Sequence, residues 1–173
     1  DLTRGNPLTL SIMLSENSPN DRNISLTQNV LKNVNEYIKD RLANNNSDNL
    51  VQKQRLLLRW IAVYKTICIN HSSENPPLYD FLCQETSCSA SELQDNLTAL
   101  VENNLLIRWG ENETYYTINS ELICRTILQD WLLQKNEKDN YLLNPVGNSF
   151  INKLLEKNIP YLDIALRNLH LFA

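Results

Sequence analysis

Four cysteines and two histidines are the residues of this 173-residue chain whose chemistry could be nucleophilic or metal-binding. Cys83 and Cys88 have a C-x4-C spacing, and two such thiolates can hold Zn²⁺ when two further ligands complete a tetrahedron. Neither His71 nor His170 lies at a usual ligand spacing from them. We therefore expect structural thiols, no metal site and a reducing, cytoplasmic environment.

Catalysis by acid–base or nucleophilic groups needs side chains that orient one another within a cleft. His71 lies among serines with no carboxylate placed to orient it, and His170 is close to the end of the chain. Glu111 and Glu113 are paired carboxylates, but they fall at a predicted hairpin tip, where solvent surrounds them. We expect no active site and no cofactor within this chain.

The composition also argues against several other classes of site. The three glycines, Gly5, Gly110 and Gly147, belong to no G-x-x-x-x-G-K-[ST] or G-x-G-x-x-G phosphate loop. The net charge is -4, whereas a duplex-DNA reader normally has a basic face. No apolar run is long enough to span a membrane. A protein partner is therefore expected, and neither nucleic acid nor a membrane is.

Hydrophobic periodicity predicts a mainly helical fold. Helices are predicted over 7–15, 25–42, 50–69, 78–86, 91–104 and 119–135, with a β-hairpin formed by "LLIRW" and "TYYTI" around "GENE". Helix, helix, turn, helix, hairpin is the order of a winged helix. On this prediction the Cys68 and Cys124 thiols lie within helices, where they pack as small hydrophobic groups.

We therefore predict a winged helix-turn-helix core of three helices plus a β-hairpin, flanked by additional helices. The winged-helix domain spans 50–135, an N-terminal helical segment spans 1–49, and a C-terminal helical pair, or the start of a larger helical region, spans 136–173. Trp60 and Leu97 are expected to be buried in the core. The alternative is an irregular helical bundle with an incidental hairpin.

The C-terminal segment reads as two amphipathic helices, the second beginning at Pro160. The residues predicted to face inward are Phe150, Ile151, Leu154 and Leu155 on the first, and Leu162, Ile164, Ala165, Leu169 and Leu171 on the second.

The third helix of the predicted winged helix is acidic, although this helix usually enters the DNA major groove. Gln94 and Asn96 could touch bases, but no neighbouring cation would hold the phosphates. The wing offers Arg108, but it is opposed there by Glu111 and Glu113. The opposite face has the apolar stripe of Leu93, Leu97 and Leu100. We predict an interaction face for protein that consists of Glu92, Asp95 and Glu102.

The stretch "GNPLTL" resembles the G-x-P motif that opens a helical subdomain in signal-transduction ATPases with numerous domains (STAND). The passage "YYTINSELICRTILQDWL" resembles the segment that follows the winged helix in those P-loop ATPases. The resemblance implies that Pro7 lies near the adenine of a nucleotide. It places the family's nucleotide-sensing histidine near Asn119, which is not histidine. A plain helix start at Pro7 explains the first stretch equally well.

The resemblance implies a piece of a larger protein whose phosphate loop precedes Asp1 and which binds ATP or ADP. Its expected role is regulatory and structural: holding the nucleotide domain closed, or relaying its state, through contacts with that domain or a partner subunit. The alternatives are a stand-alone winged helix that binds protein and a DNA-binding winged-helix regulator.

Overall fold

The computed structural model describes residues 24–43, 47–69, 77–136, 141–156 and 159–170. The predicted helix over 7–15, Pro7, His71 and Leu171 lie outside these residues, as does the side chain of His170. The described part is mainly helical, as predicted, and contains small antiparallel sheets. None of its helices combines the length and the apolar character needed to cross a bilayer.

Seven helices and five strands lie within the described residues. The helices are α1 (Ile24–Ala43), α2 (Asp48–Tyr64), α3 (Pro77–Thr86), α4 (Ala90–Glu102), α5 (Glu121–Leu132), α6 (Pro145–Glu156) and α7 (Leu162–His170). The strands are β1 (Thr66–Ile69), β2 (Leu106–Trp109), β3 (Thr114–Ile118), β4 (Leu133–Lys135) and β5 (Tyr141–Leu143).

Helix α2 ends five residues earlier than the sequence predicts. It stops at Tyr64, Lys65 turns the chain with a φ of 62°, and residues 66–69 form strand β1. The prediction of a helix through 69 was wrong because this run, rich in β-branched residues, finds a strand partner in β3. Cys68 consequently lies on a strand and is half-buried rather than packed inside a helix.

A three-stranded antiparallel sheet, in the order β1-β3-β2, joins the hairpin to the helices. The predicted hairpin is confirmed, with Leu106 opposite Ile118 and Trp109 opposite Tyr115. Gly110 has a φ of 104°, and a Cβ there would lie 2.0 Å from the Glu113 carbonyl oxygen. Only glycine fits this position of the turn.

The core surrounds α2, which packs against α3, α4, α5 and α7. Trp60 lies at its centre, with ring centroids 4.8 Å from Phe81 and 5.3 Å from Phe150. Trp60 and Leu97 are both buried, which confirms the two core predictions.

Helix α5 begins at Glu121, two residues after the predicted start at 119, with Ser120 as its N-cap, and ends at Leu132, three residues before the predicted end at 135. Asn144 ends it: the Asn144 Nδ2 donates to the carbonyls of Trp131 (3.1 Å) and Leu133 (3.3 Å). The chain then continues as β4, which pairs with β5 in a second, two-stranded sheet that the sequence did not predict.

The two C-terminal helices are confirmed, but not every predicted inward residue is buried. Phe150, Leu154, Ala165 and Leu169 are buried, and Ile151 and Leu162 are half-buried. Leu155 is 62 % exposed and Ile164 is 40 % exposed, so these two predictions were wrong. Leu155 directly follows the buried Leu154, and Ile164 directly precedes the buried Ala165. Consecutive residues project about 100° apart on a helix, so these neighbours point away from the core.

Candidate interaction surfaces

Helix α4 begins with a capping box that uses one of the three predicted interaction residues. The Ser89 hydroxyl accepts from the Glu92 N–H at 3.3 Å, and the Glu92 carboxylate accepts from the Ser89 N–H at 2.8 Å. Lys53 on α2 pairs with the same carboxylate at 3.0 Å. The Ser89 N–H, and then Lys53, lower the pKa of Glu92 to about 2. All three predicted interaction residues are exposed, but the Glu92 carboxylate is already engaged in contacts within the chain.

The two residues of α4 that could read bases are also held within the chain. Asn96 is 3 % exposed, and its Nδ2 donates to the Glu92 carbonyl at 2.7 Å. The Gln94 Nε2 donates to the Tyr116 hydroxyl at 2.9 Å. Asn96 follows the buried Leu93 by three residues and therefore shares its face, a helical spacing that could have revealed its burial from the sequence.

The sheet turns an aromatic face outward, away from the core. Strand register aligns Trp109, Tyr115 and Cys68 in one outward row, and Ile107, Thr117 and Thr66 in the next. We call these six residues the outer sheet face. The side chains of Ile67 and Ile69 on β1, and of Tyr116 and Ile118 on β3, are buried beneath it.

Trp109 is half exposed and yet held in one orientation. Its ring stacks on Tyr115, with centroids 4.4 Å apart and an interplanar angle of 14°. Its Nε1 donates to the Thr117 hydroxyl at 3.0 Å. Trp109 is 50 % exposed and Ile107 beside it is 44 % exposed, so the outer sheet face offers a preordered apolar surface.

A cleft of about 350 Å³ adjoins this face, between the β1–β3 half of the sheet and Tyr161 and Ile164 near the start of α7. Inside it the Glu113 carboxylate accepts hydrogen bonds from the Tyr115 hydroxyl and, at 3.7 Å, from the Cys68 thiol. Glu113, predicted to be only solvated, is therefore part of a cluster. The sequence did not reveal the cluster because β1 was interpreted as helix.

The chemistry of the cleft does not favour a nucleophile. Burial, and then the negative charge of Glu113, raise the pKa of the Cys68 thiol. The hydrogen bond to Glu113 raises the pKa of Tyr115 to about 12. Both groups keep their protons at neutral pH, and a protonated thiol is a poor nucleophile.

Asn119, where the resemblance places a nucleotide-sensing histidine, forms hydrogen bonds within the chain. Its Nδ2 donates to the Asn104 carbonyl at 2.9 Å, and its N–H donates to the Leu105 carbonyl at 3.1 Å. These bonds tie the end of β3 to the end of α4.

A second apolar surface lies between α5, the β4–β5 sheet, α6 and α7. A groove of about 790 Å³ runs there, and Tyr141, Leu142 and Leu143 are exposed along it. The sequence did not predict this groove, since β4 and β5 were not recognised.

Within the described residues, no three His, Cys, Asp or Glu side chains come together as a metal site would require. Comparisons with protein-family models, with curated proteins and with solved structures found no match to this chain.

Proposed function

We propose that the predicted domain over 50–135 contains a winged helix, formed by the elements from α2 to β3, that contacts protein. The element order α2-β1-α3-α4-β2-β3 supports the winged helix, because the β2–β3 hairpin takes the place of the wing and α4 that of the third helix. The strand order β1-β3-β2 also supports it. In a helical bundle with an incidental hairpin, the hairpin would not need a third strand. Here β1, which directly follows α2, pairs with β3 of the hairpin.

DNA binding through α4 is disfavoured by its side chains. The helix has no lysine or arginine, and its Glu92, Gln94 and Asn96 are engaged within the chain. Asp95 and Glu102 would face the phosphates and repel them. This helix therefore offers neither base-reading nor phosphate-holding groups for DNA binding, which is the usual activity of the fold.

The half-exposed Trp109 is the observation on which the proposal of a protein contact rests. Tryptophan and tyrosine are enriched in the centres of protein interfaces, where rigid aromatic groups bury area at a low entropic cost. Trp109 is stacked on Tyr115 before any partner binds. The acidic Asp95 and Glu102 extend the proposed interaction face to α4 and favour a partner with a basic patch.

We further propose that this chain is the helical and winged-helix portion of a STAND-type, cytoplasmic ATPase, a non-catalytic part that holds or relays the state of a domain binding ATP or ADP. The G-x-P stretch and the passage after the hairpin support this assignment. The alternatives are a stand-alone winged helix that binds protein and, third, a DNA-binding regulator.

The gene that encodes the chain tests the family proposal. We expect a phosphate-loop motif encoded upstream of Asp1. A start codon at or near Asp1 would refute the ATPase assignment and leave the protein-contact proposal standing.

The contact itself is tested in the full-length protein. Trp109→Ser should change the basal ATPase rate several-fold, because it weakens the contact between the outer sheet face and the nucleotide domain. Leu155→Ser is the matched control, since Leu155 is also an exposed apolar residue but lies on α6. Equal rates for wild type and Trp109→Ser would contradict a role for this face.

A further inference from the structure

Basic residues gather where α1 packs against α2 and α5, although the chain as a whole has a net charge of -4. Two adjoining cavities lie there, of about 70 Å³ and about 480 Å³. Their walls contain five basic residues, Lys32, Lys39, Arg55, Arg59 and Lys135, and two acidic ones, Glu36 and Asp130. The local charge is therefore opposite in sign to that of the chain.

The smaller cavity brings together Lys39 from α1, Arg55 and Arg59 from α2, and Asp130 from α5. Arg55 and Arg59 are one helical turn apart and so share a face of α2. Neither arginine, nor Lys39, forms an ion pair within 4.0 Å with any residue that the structure describes. Asp130 is the one acidic side chain among the residues that line the smaller cavity, against three basic ones, so the net charge of its walls is positive.

Further contacts fix Arg59 in this position. Its guanidinium lies 5.3 Å from the centre of the Trp131 ring. Burial, and then the charge of Arg55, lower the pKa of Arg59, and the charge of Asp130 offsets part of this effect. Like charges kept together in a partly buried cavity destabilise the unliganded protein, and a bound anion would relieve that repulsion.

We propose that the smaller cavity binds a single phosphate-type oxyanion. Its volume of about 70 Å³ exceeds the roughly 10–15 Å³ that one ordered water requires, so a small polyatomic anion fits. Guanidinium groups match the geometry of phosphate oxygens through paired N–H donors, and the Lys39 ammonium adds a point charge. This site is independent of the outer sheet face and of the proposed function.

Asp130 gives the site a means of selecting its anion. Its carboxylate faces the same cavity and would repel an ion with no proton. A phosphate monoanion or dianion keeps a P–O–H group, which can donate a hydrogen bond to that carboxylate, whereas sulfate has no proton at neutral pH. Asn35 in the same wall can donate or accept. The site should therefore prefer phosphate to sulfate.

Isothermal titration calorimetry of the chain with inorganic phosphate, sulfate and phenyl phosphate, at one ionic strength set with chloride, tests the proposal. Arg55→Gln should weaken phosphate binding by about tenfold or more, the effect of losing one charge-assisted hydrogen bond. Arg125→Gln is the matched control, because Arg125 is exposed on α5. Asp130→Asn should abolish the preference for phosphate over sulfate.

The thermal midpoint in chloride separates binding from folding. Arg55→Gln should melt at or above the wild-type temperature, because it removes a repulsion, while losing the binding of phosphate. Tighter binding of phenyl phosphate would assign the site to a phosphate ester, and binding of inorganic phosphate alone would assign it to the free ion. Equal phosphate affinity in wild type and Arg55→Gln, or no binding to wild type, would overturn the proposal.

Discussion

Asn144 joins the end of one helix to the start of the next, and its replacement should be costly. Its Oδ1 accepts from the Gly147 N–H at 2.7 Å, which caps α6. Its Nδ2 donates to the carbonyls of Trp131 and Leu133 at 3.1 and 3.3 Å, which closes α5. Loss of an N-cap costs about 0.5–2 kcal/mol, and each net hydrogen bond contributes about 0.5–1.5 kcal/mol. We expect Asn144→Ala to lower the free energy of unfolding by about 2–3 kcal/mol.

A second substitution separates the two tasks of Asn144. Asn144→Asp keeps the acceptor for the Gly147 N–H but places a carboxylate oxygen against two carbonyl oxygens. It should therefore cost about 1 kcal/mol or more, through unsatisfied and repelled acceptors. Urea titration measures both variants, and Asn152→Ala, an exposed position on α6, should be neutral. Wild-type stability of Asn144→Asp would refute the closure of α5 by this side chain.

Three further predictions concern stability, and one concerns activity. Leu97→Ala should cost about 2–5 kcal/mol in urea titration because Leu97 is fully buried, whereas Asp95→Ala should change stability by less than about 0.5 kcal/mol. Gly147→Ala should cost about 1–3 kcal/mol, since the added Cβ would lie 2.3 Å from the Leu132 carbonyl oxygen, and a wild-type thermal midpoint would contradict that approach. The pKa of Glu92 is lowered from 4.5 to about 2. The ionised carboxylate therefore contributes to stability above pH 4.5, and this contribution is lost as the pH falls toward 2. The difference in unfolding free energy between wild type and Glu92→Gln should shrink over that range and stay constant above it. The isolated chain should not hydrolyse ATP, and turnover that persists at constant specific activity through further purification would contradict this.

Features set by local sequence were predictable. The hairpin follows from two short β-type runs around Gly110. For α4 the sequence offers Ser89 and Ser91 as N-caps, and the structure uses Ser89. The burial of Leu97 follows from the helical spacing of the leucines. Each of these depends on residues within a few positions of one another, which is the range over which sequence patterns act.

Features set by distant residues were not predictable from pattern alone. Residues 66–69 form a strand because β3, about fifty residues later, pairs with them. Helix α5 ends where it does because Asn144, more than ten residues later, occupies its last carbonyls. The Cys68–Glu113–Tyr115 cluster depends on the same long-range pairing. A short apolar run can be helix or strand, and only its tertiary partners decide.

We propose that residues 50–135 contain a winged helix that contacts protein and does not read DNA, and fluorescence anisotropy with randomised duplexes tests this proposal most directly. At physiological salt we predict no duplex binding tighter than about 1 µM, with any weaker binding lost as salt rises. Submicromolar binding at that salt, abolished by replacing Gln94 and Asn96 with alanine in a variant that still folds, would contradict the account and make α4 a DNA-reading helix.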